Sequence, residues 1–261
     1  MKAISSVLPV GALLTALAVV PAVAETPAPN YNCVAPPDLA RLDYPLRRTG
    51  LRIAAGLPIT IVAVGSSSTS GHGASSPAMS YPSRLEVELK TLFPRSEIKV
   101  INRGVGGEVA TDMIARFDEQ VISEKPDIVI WQVGSNSVLR DAPLAPHSPL
   151  IRDGVRRLKE AGADVILMNP QYAPKVITKH DVEGMVDLIG RAAKEANVDL
   201  FQRFAIMRYW RLTEGMPFES FLSPDELHMN DWSYGCVAKL LAGTIAEAAQ
   251  RPTLTAGAGA R

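Results

Sequence analysis

Short apolar segments alternate along the chain with longer segments in which apolar residues recur every three or four positions. The short segments lie at 59–64, 98–101, 127–133, 164–168 and 199–201, and most of them are rich in Val and Ile. Such segments predict buried β-strands, whereas the longer spacing predicts amphipathic helices. Strands that alternate with helices form a parallel sheet covered by helices on both faces. The pattern therefore predicts an α/β fold.

The longer segments place predicted helices between these strands. They cover 80–92, 111–122, 149–161, 181–197, 204–214 and 231–249. A further helix is predicted to begin at Asp38, with Leu42, Leu46 and Leu51 as its apolar contacts. No linker divides the pattern, so we expect a single α/β domain at 59–250.

The N-terminus has the pattern of a targeting segment. Lys2 supplies a positive charge, 7–20 is mostly apolar, and 22–24 offers small residues ahead of a cleavage site after Ala24. These features predict a secretory signal peptide. The alternative, an uncleaved membrane anchor, fits less well because the apolar segment is short and Pro9 interrupts it. We therefore expect a periplasmic or secreted protein with no stable membrane insertion after cleavage.

These patterns predict four regions along the chain. They are a signal peptide at 1–24, an N-terminal leader packing on the domain at 25–58, the α/β domain at 59–250, and a disordered tail at 251–261. The tail prediction rests on its content of Thr, Ala and Gly, which offers little to bury.

Charge and cysteine content narrow the candidate partners. Lys plus Arg and Asp plus Glu each number 27, so the formal net charge is zero. Without a basic surplus, we expect no nucleic-acid partner and a neutral substrate. The two cysteines, Cys33 and Cys236, are expected to form a disulfide in an oxidising compartment, with two free thiols as the alternative. No Cys/His cluster has zinc-ligand spacing, so no metal and no cofactor are predicted.

Candidate chemical groups follow the predicted strands. Ser67 follows the first strand, 104–107 the second, 134–136 the third, and 169–172 the fourth. In parallel α/β sheets, ligands bind beyond the carboxyl ends of the strands. We therefore expect these groups to meet at one edge of the sheet. Taken singly, each segment also reads as an ordinary turn rich in small residues.

A D-x-x-H pair near the C-terminus adds an acid and a base. Among the four histidines, only His228 has an acid three positions upstream, at Asp225. A serine hydroxyl becomes a nucleophile when a histidine takes its proton and an acid orients that histidine. The G-x-S-x-G turn of α/β-hydrolases is absent, because Thr69 stands where that motif has glycine.

Taken in order, these segments resemble the SGNH (GDSL-type) esterase superfamily. The four matching segments are GSSST at 65–69, NRGVGG at 102–107, GSNS at 134–137 and DELH at 225–228. The resemblance implies a flavodoxin-like three-layer αβα sandwich with a five-stranded parallel sheet. It also implies that Ser67 is the nucleophile, that His228 and Asp225 complete the triad, and that Ser67, Gly107 and Asn136 form an oxyanion hole.

Two positions depart from the superfamily pattern. Ser66 and Ser137 stand where the family usually has Asp, so two carboxylates near the site are missing. Neither departure removes a catalytic group, and we expect an active serine esterase. Gln171 and Tyr172 are candidate substrate contacts. Tyr172 is also a candidate platform for stacking on sugars, as are Trp131, Trp210 and Trp232 unless they belong to the core.

The expected activity is hydrolysis of short-chain esters, with acetyl groups on a polysaccharide as the preferred substrate. Export argues against cytosolic thioesters, and no long apolar run is present to hold a fatty chain. Within the same family, the alternatives are a lipolytic or aryl esterase and a lysophospholipase. From other classes, they are a non-catalytic polysaccharide-binding protein and an O-acyltransferase.

Overall fold

The centre of the protein is a parallel sheet, seen in a computed structural model that describes residues 31–251. Its strands are β1 (Ile59–Gly65), β2 (Ile98–Gly104), β3 (Ile128–Gln132), β4 (Asp164–Met168) and β5 (Asp199–Phe201). They lie in the order β2-β1-β3-β4-β5, and every neighbouring pair is parallel. Because β1 lies next to both β2 and β3, the loops after these three strands emerge side by side.

Helices connect and cover the strands. They are α1 (Arg47–Ala54), α2 (Ser67–Ser70), α3 (Tyr81–Leu92), α4 (Ala110–Ala115), α5 (Phe117–Gln120), α6 (Ser135–Leu139), α7 (His147–Glu160), α8 (Pro174–Ile177), α9 (Val182–Ala196), α10 (Arg203–Leu212) and α11 (Asp231–Gln250). Short 3₁₀ turns lie at Pro77–Met79, Ile122–Glu124 and Phe218–Ser220.

The helices form two layers with the sheet between them. Helix α3 packs against α11, and α7 packs against α9. Every residue of β3 is buried, and in β1 only Thr60 is partly exposed. Since successive side chains of a strand point to opposite faces, both faces of the sheet are covered. The predicted three-layer α/β fold with a five-stranded parallel sheet is confirmed.

The helix expected to begin at Asp38 is absent, and this prediction is wrong. The segment forms a turn, and α1 begins only at Arg47. Pro45 explains the delay, because a proline disfavours helical geometry at the residue before it. The backbone nitrogen of that residue, Tyr44, instead donates to the Asp199 carboxylate at 2.9 Å. Leu42 and Leu46 are buried as expected, whereas Leu51 is 73% exposed.

The helix predicted over 111–122 is divided in two. It ends as α4 at Ala115 and resumes as α5 at Phe117, because the backbone of Arg116 leaves the helical region at φ −106° and ψ 8°. The Arg116 guanidinium donates to the Glu108 carboxylate at 2.6 Å and to the Arg103 carbonyl at 2.8 Å. These contacts hold the junction against the loop after β2.

A disulfide joins the start of the described chain to helix α11. Cys33 and Cys236 are bonded, with their Cα atoms 5.4 Å apart, so the predicted pairing is present. Within residues 31–251, no helix combines the length and apolar character needed to cross a lipid bilayer. The predicted signal peptide, and the predicted tail after Arg251, lie outside the described residues.

Candidate active site

The turn after β1 carries Ser67 at the first position of α2. Gly65 is required there, because a Cβ at this residue would lie 2.2 Å from the Thr69 hydroxyl. The Ser67 carbonyl accepts hydrogen bonds from the backbone nitrogens of Gly71 and His72, both at 3.0 Å. This tight turn leaves the Ser67 side chain partly exposed at the carboxyl edge of the sheet.

The turn before α11 carries Asp225 and His228. Its base is closed by a hydrogen bond from the Ser223 nitrogen to the His228 carbonyl at 2.8 Å. Oδ1 of Asp225 accepts from the backbone nitrogens of Leu227 at 3.0 Å and His228 at 2.9 Å. The Ser223 hydroxyl donates to the same oxygen at 2.8 Å. The carboxylate is therefore fixed by its own turn, and its second oxygen is directed at the histidine.

The structure brings these two turns together as a triad. His228 Nε2 lies 2.8 Å from Ser67 Oγ, across 161 positions of sequence. His228 Nδ1 lies 2.5 Å from Oδ2 of Asp225. Both distances allow hydrogen bonds. Acyl-transfer chemistry by a serine uses this order of groups, in which the imidazole contacts the hydroxyl on one side and the carboxylate on the other.

The surroundings adjust the pKa values of both titratable groups. Burial lowers the pKa of His228 below its ordinary value, and this outweighs the opposing hydrogen bond to Asp225. Burial alone would raise the pKa of Asp225, but hydrogen bonds from His228, Ser223 and Leu227 hold it well below its usual range. At neutral pH, Asp225 is therefore charged and His228 is neutral, which is the state that a general base requires.

The loops after β2 and β3 hold Gly107 and Asn136. The Val105 nitrogen donates to the Gly65 carbonyl at 2.9 Å, which ties the first loop to the serine turn. Gly107 has a left-handed backbone with φ of +82°, and its carbonyl accepts from the Arg140 guanidinium at 2.6 Å. Asn136 Nδ2 donates to the Glu108 carbonyl at 2.8 Å. One amide hydrogen of Asn136 thus binds the loop that carries Gly107.

Gln132 is a site residue that the sequence analysis missed. It is fully buried at the end of β3, and its Oε1 accepts from the Ser66 nitrogen at 2.9 Å and the Ser66 hydroxyl at 3.0 Å. Thr69 Oγ1 donates to the same oxygen at 3.3 Å. The amide therefore supports the serine turn from below. Its signal in the sequence was a polar residue inside an otherwise apolar strand.

A buried chain of hydrogen bonds continues from Gln132 to the histidine turn. Gln132 Nε2 donates to Ser135 Oγ at 3.3 Å, and Ser135 Oγ donates to Gln171 Oε1 at 2.8 Å. Gln171 Nε2 then donates to the Leu227 carbonyl at 3.2 Å, next to His228. Gln171 is 2% exposed, and its side-chain oxygen and nitrogen both have hydrogen-bond partners within the protein, which argues against the predicted substrate contact. We assign it a positioning role instead.

Arg203 adds a buried positive charge to this chain. Its guanidinium donates to Gln171 Oε1 at 3.1 Å and to the Asn169 carbonyl at 3.1 Å. Burial lowers the pKa of Arg203 to about 10, so the side chain stays charged at neutral pH. Its charge lies close enough to His228 to contribute to the lowered pKa of that ring.

The remaining aromatic and histidine side chains differ in whether they lie in the core or near the site. Trp131 and Trp210 are fully buried and belong to the core. Tyr172 is partly exposed, and its ring stacks with Phe218 at a centroid distance of 6.1 Å. His72, to which the sequence analysis gave no role, lies beside the triad with its ring centroid 4.3 Å from that of His228.

A cleft of about 610 Å³ opens beside the histidine turn. It is lined by Gly73, Pro174, Phe218, Glu219, Leu222, Ser223, Pro224, Glu226 and Asn230. One aromatic ring, two carboxylates and several apolar side chains share its wall. This mixture suits a ligand that has both hydroxyl groups and apolar faces, and its size is that of a small-molecule site.

Comparison with known proteins gives a family and several relatives. The model of the Non-GDSL lipase-like family matches residues 32–251. An acetylxylan esterase of Geobacillus stearothermophilus is 34% identical over 94 residues, which are 32% of this chain and 43% of the relative. An arylesterase of Vibrio mimicus is 25% identical over 125 residues, which are 48% of this chain and 61% of the relative.

A solved structure supports the fold at lower sequence identity. A two-domain esterase active on acetylated mannans superposes with a TM-score of 0.69 at 22% identity. The match covers 82% of this chain and 56% of that protein. The chain thus spans about half the length of the curated relatives and of this structure, and at that identity the structural likeness concerns the fold alone.

Proposed function

Since the chain belongs to the Non-GDSL lipase-like family, we propose that it is an exported serine esterase that removes acetyl groups from polysaccharides. The observation that carries the proposal is the continuous hydrogen-bonded series from Ser67 Oγ through His228 to Asp225, with distances of 2.8 and 2.5 Å. The resemblance to SGNH esterases, inferred from four sequence segments, assigns the same three residues.

The first half of the reaction forms an acyl-enzyme. Ser67 Oγ attacks the ester carbonyl carbon while His228 Nε2 takes the hydroxyl proton, and Asp225 stabilises the imidazolium. The oxyanion receives hydrogen bonds from the backbone nitrogens of Ser67 and Gly107 and from the Asn136 amide. The carbon–oxygen bond to the sugar then breaks, and His228 returns its proton to the departing alcohol.

The second half releases the acid. His228, again neutral, takes a proton from water, and the resulting hydroxide attacks the acyl carbon. Collapse of the second tetrahedral intermediate breaks the bond to Ser67 Oγ, which regains its proton from His228. The products are acetate and the free enzyme, and no external oxidant or cofactor enters the balance.

Two observations support an acetylated sugar as substrate. Relatives include an esterase named for acetylxylan and a structure active on acetylated mannans. The cleft beside the histidine turn is lined by Phe218, Glu219 and Glu226, among other residues. An aromatic face packs on the apolar side of a sugar ring, and carboxylates accept hydrogen bonds from its hydroxyl groups.

The proposed export has support from the covalent structure. The bond between Cys33 and Cys236 persists in oxidising compartments and is rare in the reducing cytosol. This supports the proposal that the protein is periplasmic or secreted.

The proposal is tested with p-nitrophenyl esters and purified protein. Ser67→Ala is expected to abolish hydrolysis of the acetyl ester while circular dichroism stays unchanged. If the variant keeps most of the wild-type rate, the assignment of the nucleophile is wrong. The wild-type enzyme is expected to prefer acetyl over octanoyl esters, and to release acetate from acetylated xylan or mannan.

An aryl or lipolytic esterase is the second candidate, favoured by the arylesterase relative. A strong preference for octanoyl esters, with no acetate released from polysaccharide, would support it. Acyl transfer to a sugar acceptor passes through the same acyl-serine. It would be revealed if adding the acceptor lowers free acetate while the p-nitrophenol rate holds. A non-catalytic binding protein would show no turnover of any ester.

A further inference from the structure

A second imidazole lies against the acid–base pair of the triad. The ring centroids of His72 and His228 are 4.3 Å apart, with an angle of 59° between the ring planes. His72 Nε2 lies 4.0 Å from Oδ2 of Asp225. One ligand atom from each of His72, Asp225 and His228 falls within 4.8 Å of the other two. Two imidazoles and a carboxylate are thus close enough together to be considered as ligands of one metal ion.

The backbone fixes His72 in this place. It lies between two left-handed glycines, Gly71 with φ of +96° and Gly73 with φ of +88°. Its nitrogen donates to the Ser67 carbonyl at 3.0 Å, and its carbonyl accepts from the Tyr234 hydroxyl at 2.6 Å. The His72 side chain is 66% exposed, so it can be reached from solvent. The loop is therefore ordered, whereas the ring is accessible.

We propose that His72, Asp225 and His228 form a zinc site at which the ion reversibly inhibits the enzyme. Imidazole and carboxylate are ordinary zinc ligands, with bonds of about 2.0–2.2 Å. Two ligand atoms of a tetrahedral zinc ion therefore lie roughly 3.3 Å apart. The 4.0 Å gap between His72 Nε2 and Asp225 closes to that value with a shift of under about 1 Å by the exposed His72 ring.

The third ligand is His228 Nδ1, which lies 2.5 Å from Oδ2 of Asp225, so this pair must open by about 0.8 Å to admit the ion. Zinc needs the lone pair of this nitrogen, so the single N–H proton of the neutral ring moves from Nδ1 to Nε2. A ring protonated at Nε2 has no lone pair directed at Ser67, and it cannot accept the serine proton. Asp225 is drawn to the metal at the same time. Both changes stop acyl transfer without touching the nucleophile.

The direct test is calorimetric titration of zinc chloride into the full chain carrying Ser67→Ala. This variant keeps the three proposed ligands and removes turnover, so the result does not depend on esterase activity. We expect one zinc per chain, and at least a tenfold loss of affinity when His72→Ala or His72→Gln is added. His180→Ala is the matched control, because His180 is a 97% exposed imidazole beside a carboxylate, Asp181, at 2.8 Å.

The activity test rests on the proposed function. Zinc is expected to inhibit hydrolysis of p-nitrophenyl acetate, EDTA to restore it, and His72→Ala to raise the half-inhibiting concentration at least tenfold. His180→Ala should leave that concentration unchanged. The site is refuted if Ser67→Ala binds no zinc, or if zinc affinity survives both His72 variants. An inactive wild type that still binds zinc through His72 would instead count against the esterase alone.

Discussion

The side-chain oxygen of Gln132 accepts hydrogen bonds from both the nitrogen and the hydroxyl of Ser66, at 2.9 and 3.0 Å. The superfamily pattern usually has a carboxylate at position 66, which would repel rather than donate to that oxygen once ionised. In this chain the neutral side chains of Ser66 and Gln132 form a hydrogen bond instead. The serine turn is therefore held by an uncharged, fully buried amide.

Replacing this amide tests its positioning role. Gln132→Met keeps the volume but leaves the Ser66 nitrogen without its acceptor, which is expected to cost about 1–3 kcal/mol of unfolding free energy. We expect kcat to fall by about tenfold with KM little changed, since the amide does not contact substrate. Ser66→Ala removes only one donor and should cost less in both measurements. Equal kcat values for wild type and Gln132→Met would show that Gln132 has no positioning role.

The Asn136 amide is expected to stabilise the oxyanion. Asn136→Ala should lower kcat by about 10²- to 10³-fold, the usual effect of losing one oxyanion donor. Arg140→Ala is the comparison, because it removes only the hydrogen bond to the Gly107 carbonyl. It is expected to have a much smaller effect on steady-state rates. If both variants lose activity equally, Asn136 acts by holding the loop and not by binding the oxyanion.

The pH profile should reflect the lowered pKa of His228. The ring must be neutral to accept the Ser67 proton, and burial lowers its pKa below the ordinary 6.5. Activity should therefore persist below pH 6.5, and decline only as the pH falls through the pKa of His228. The measurement is kcat/KM against pH for an activated ester. An acid limb centred well above pH 7 would contradict the assignment.

The disulfide is expected to stabilise the fold. Cys33 and Cys236 are separated by 203 positions, so their bond restricts a long loop in the unfolded chain. Reduction should lower the free energy of unfolding by about 2–5 kcal/mol, with a matching fall in Tm by calorimetry. The double variant Cys33→Ser, Cys236→Ser should unfold at the lower temperature with or without reductant. If reductant leaves the wild-type Tm unchanged, the disulfide does not stabilise the fold.

Periodicity was enough to predict most of the fold. Strands 164–168 and 199–201 have the predicted bounds, because a short apolar run flanked by helical spacing leaves little choice. The missing helix at Asp38 shows the limit, since one proline at position 45 outweighs a plausible apolar spacing. The division at Arg116 accompanies hydrogen bonds from its guanidinium to Glu108, eight positions earlier, which apolar periodicity does not reveal.

Part of the candidate site could be predicted, because its reactive residues occur along the chain in the order of a known family pattern. Asp225 and His228 share one turn, so their pairing was visible in the sequence. Gln132 and Gln171 were not assigned to positions beneath the site, because their roles depend on which polar side chains meet inside the protein. His72 reaches the triad only because a three-dimensional turn after Ser67 folds back, which sequence spacing does not encode.

Covalent labelling tests the central assignment most directly. The wild-type protein is incubated with a fluorophosphonate, and the modified residue is mapped by peptide mass spectrometry. We expect one adduct per chain on the peptide that contains Ser67, and almost none in folded Ser67→Ala or His228→Ala. Modification of another residue, or a folded wild type that stays unlabelled, would contradict the triad on which this function rests.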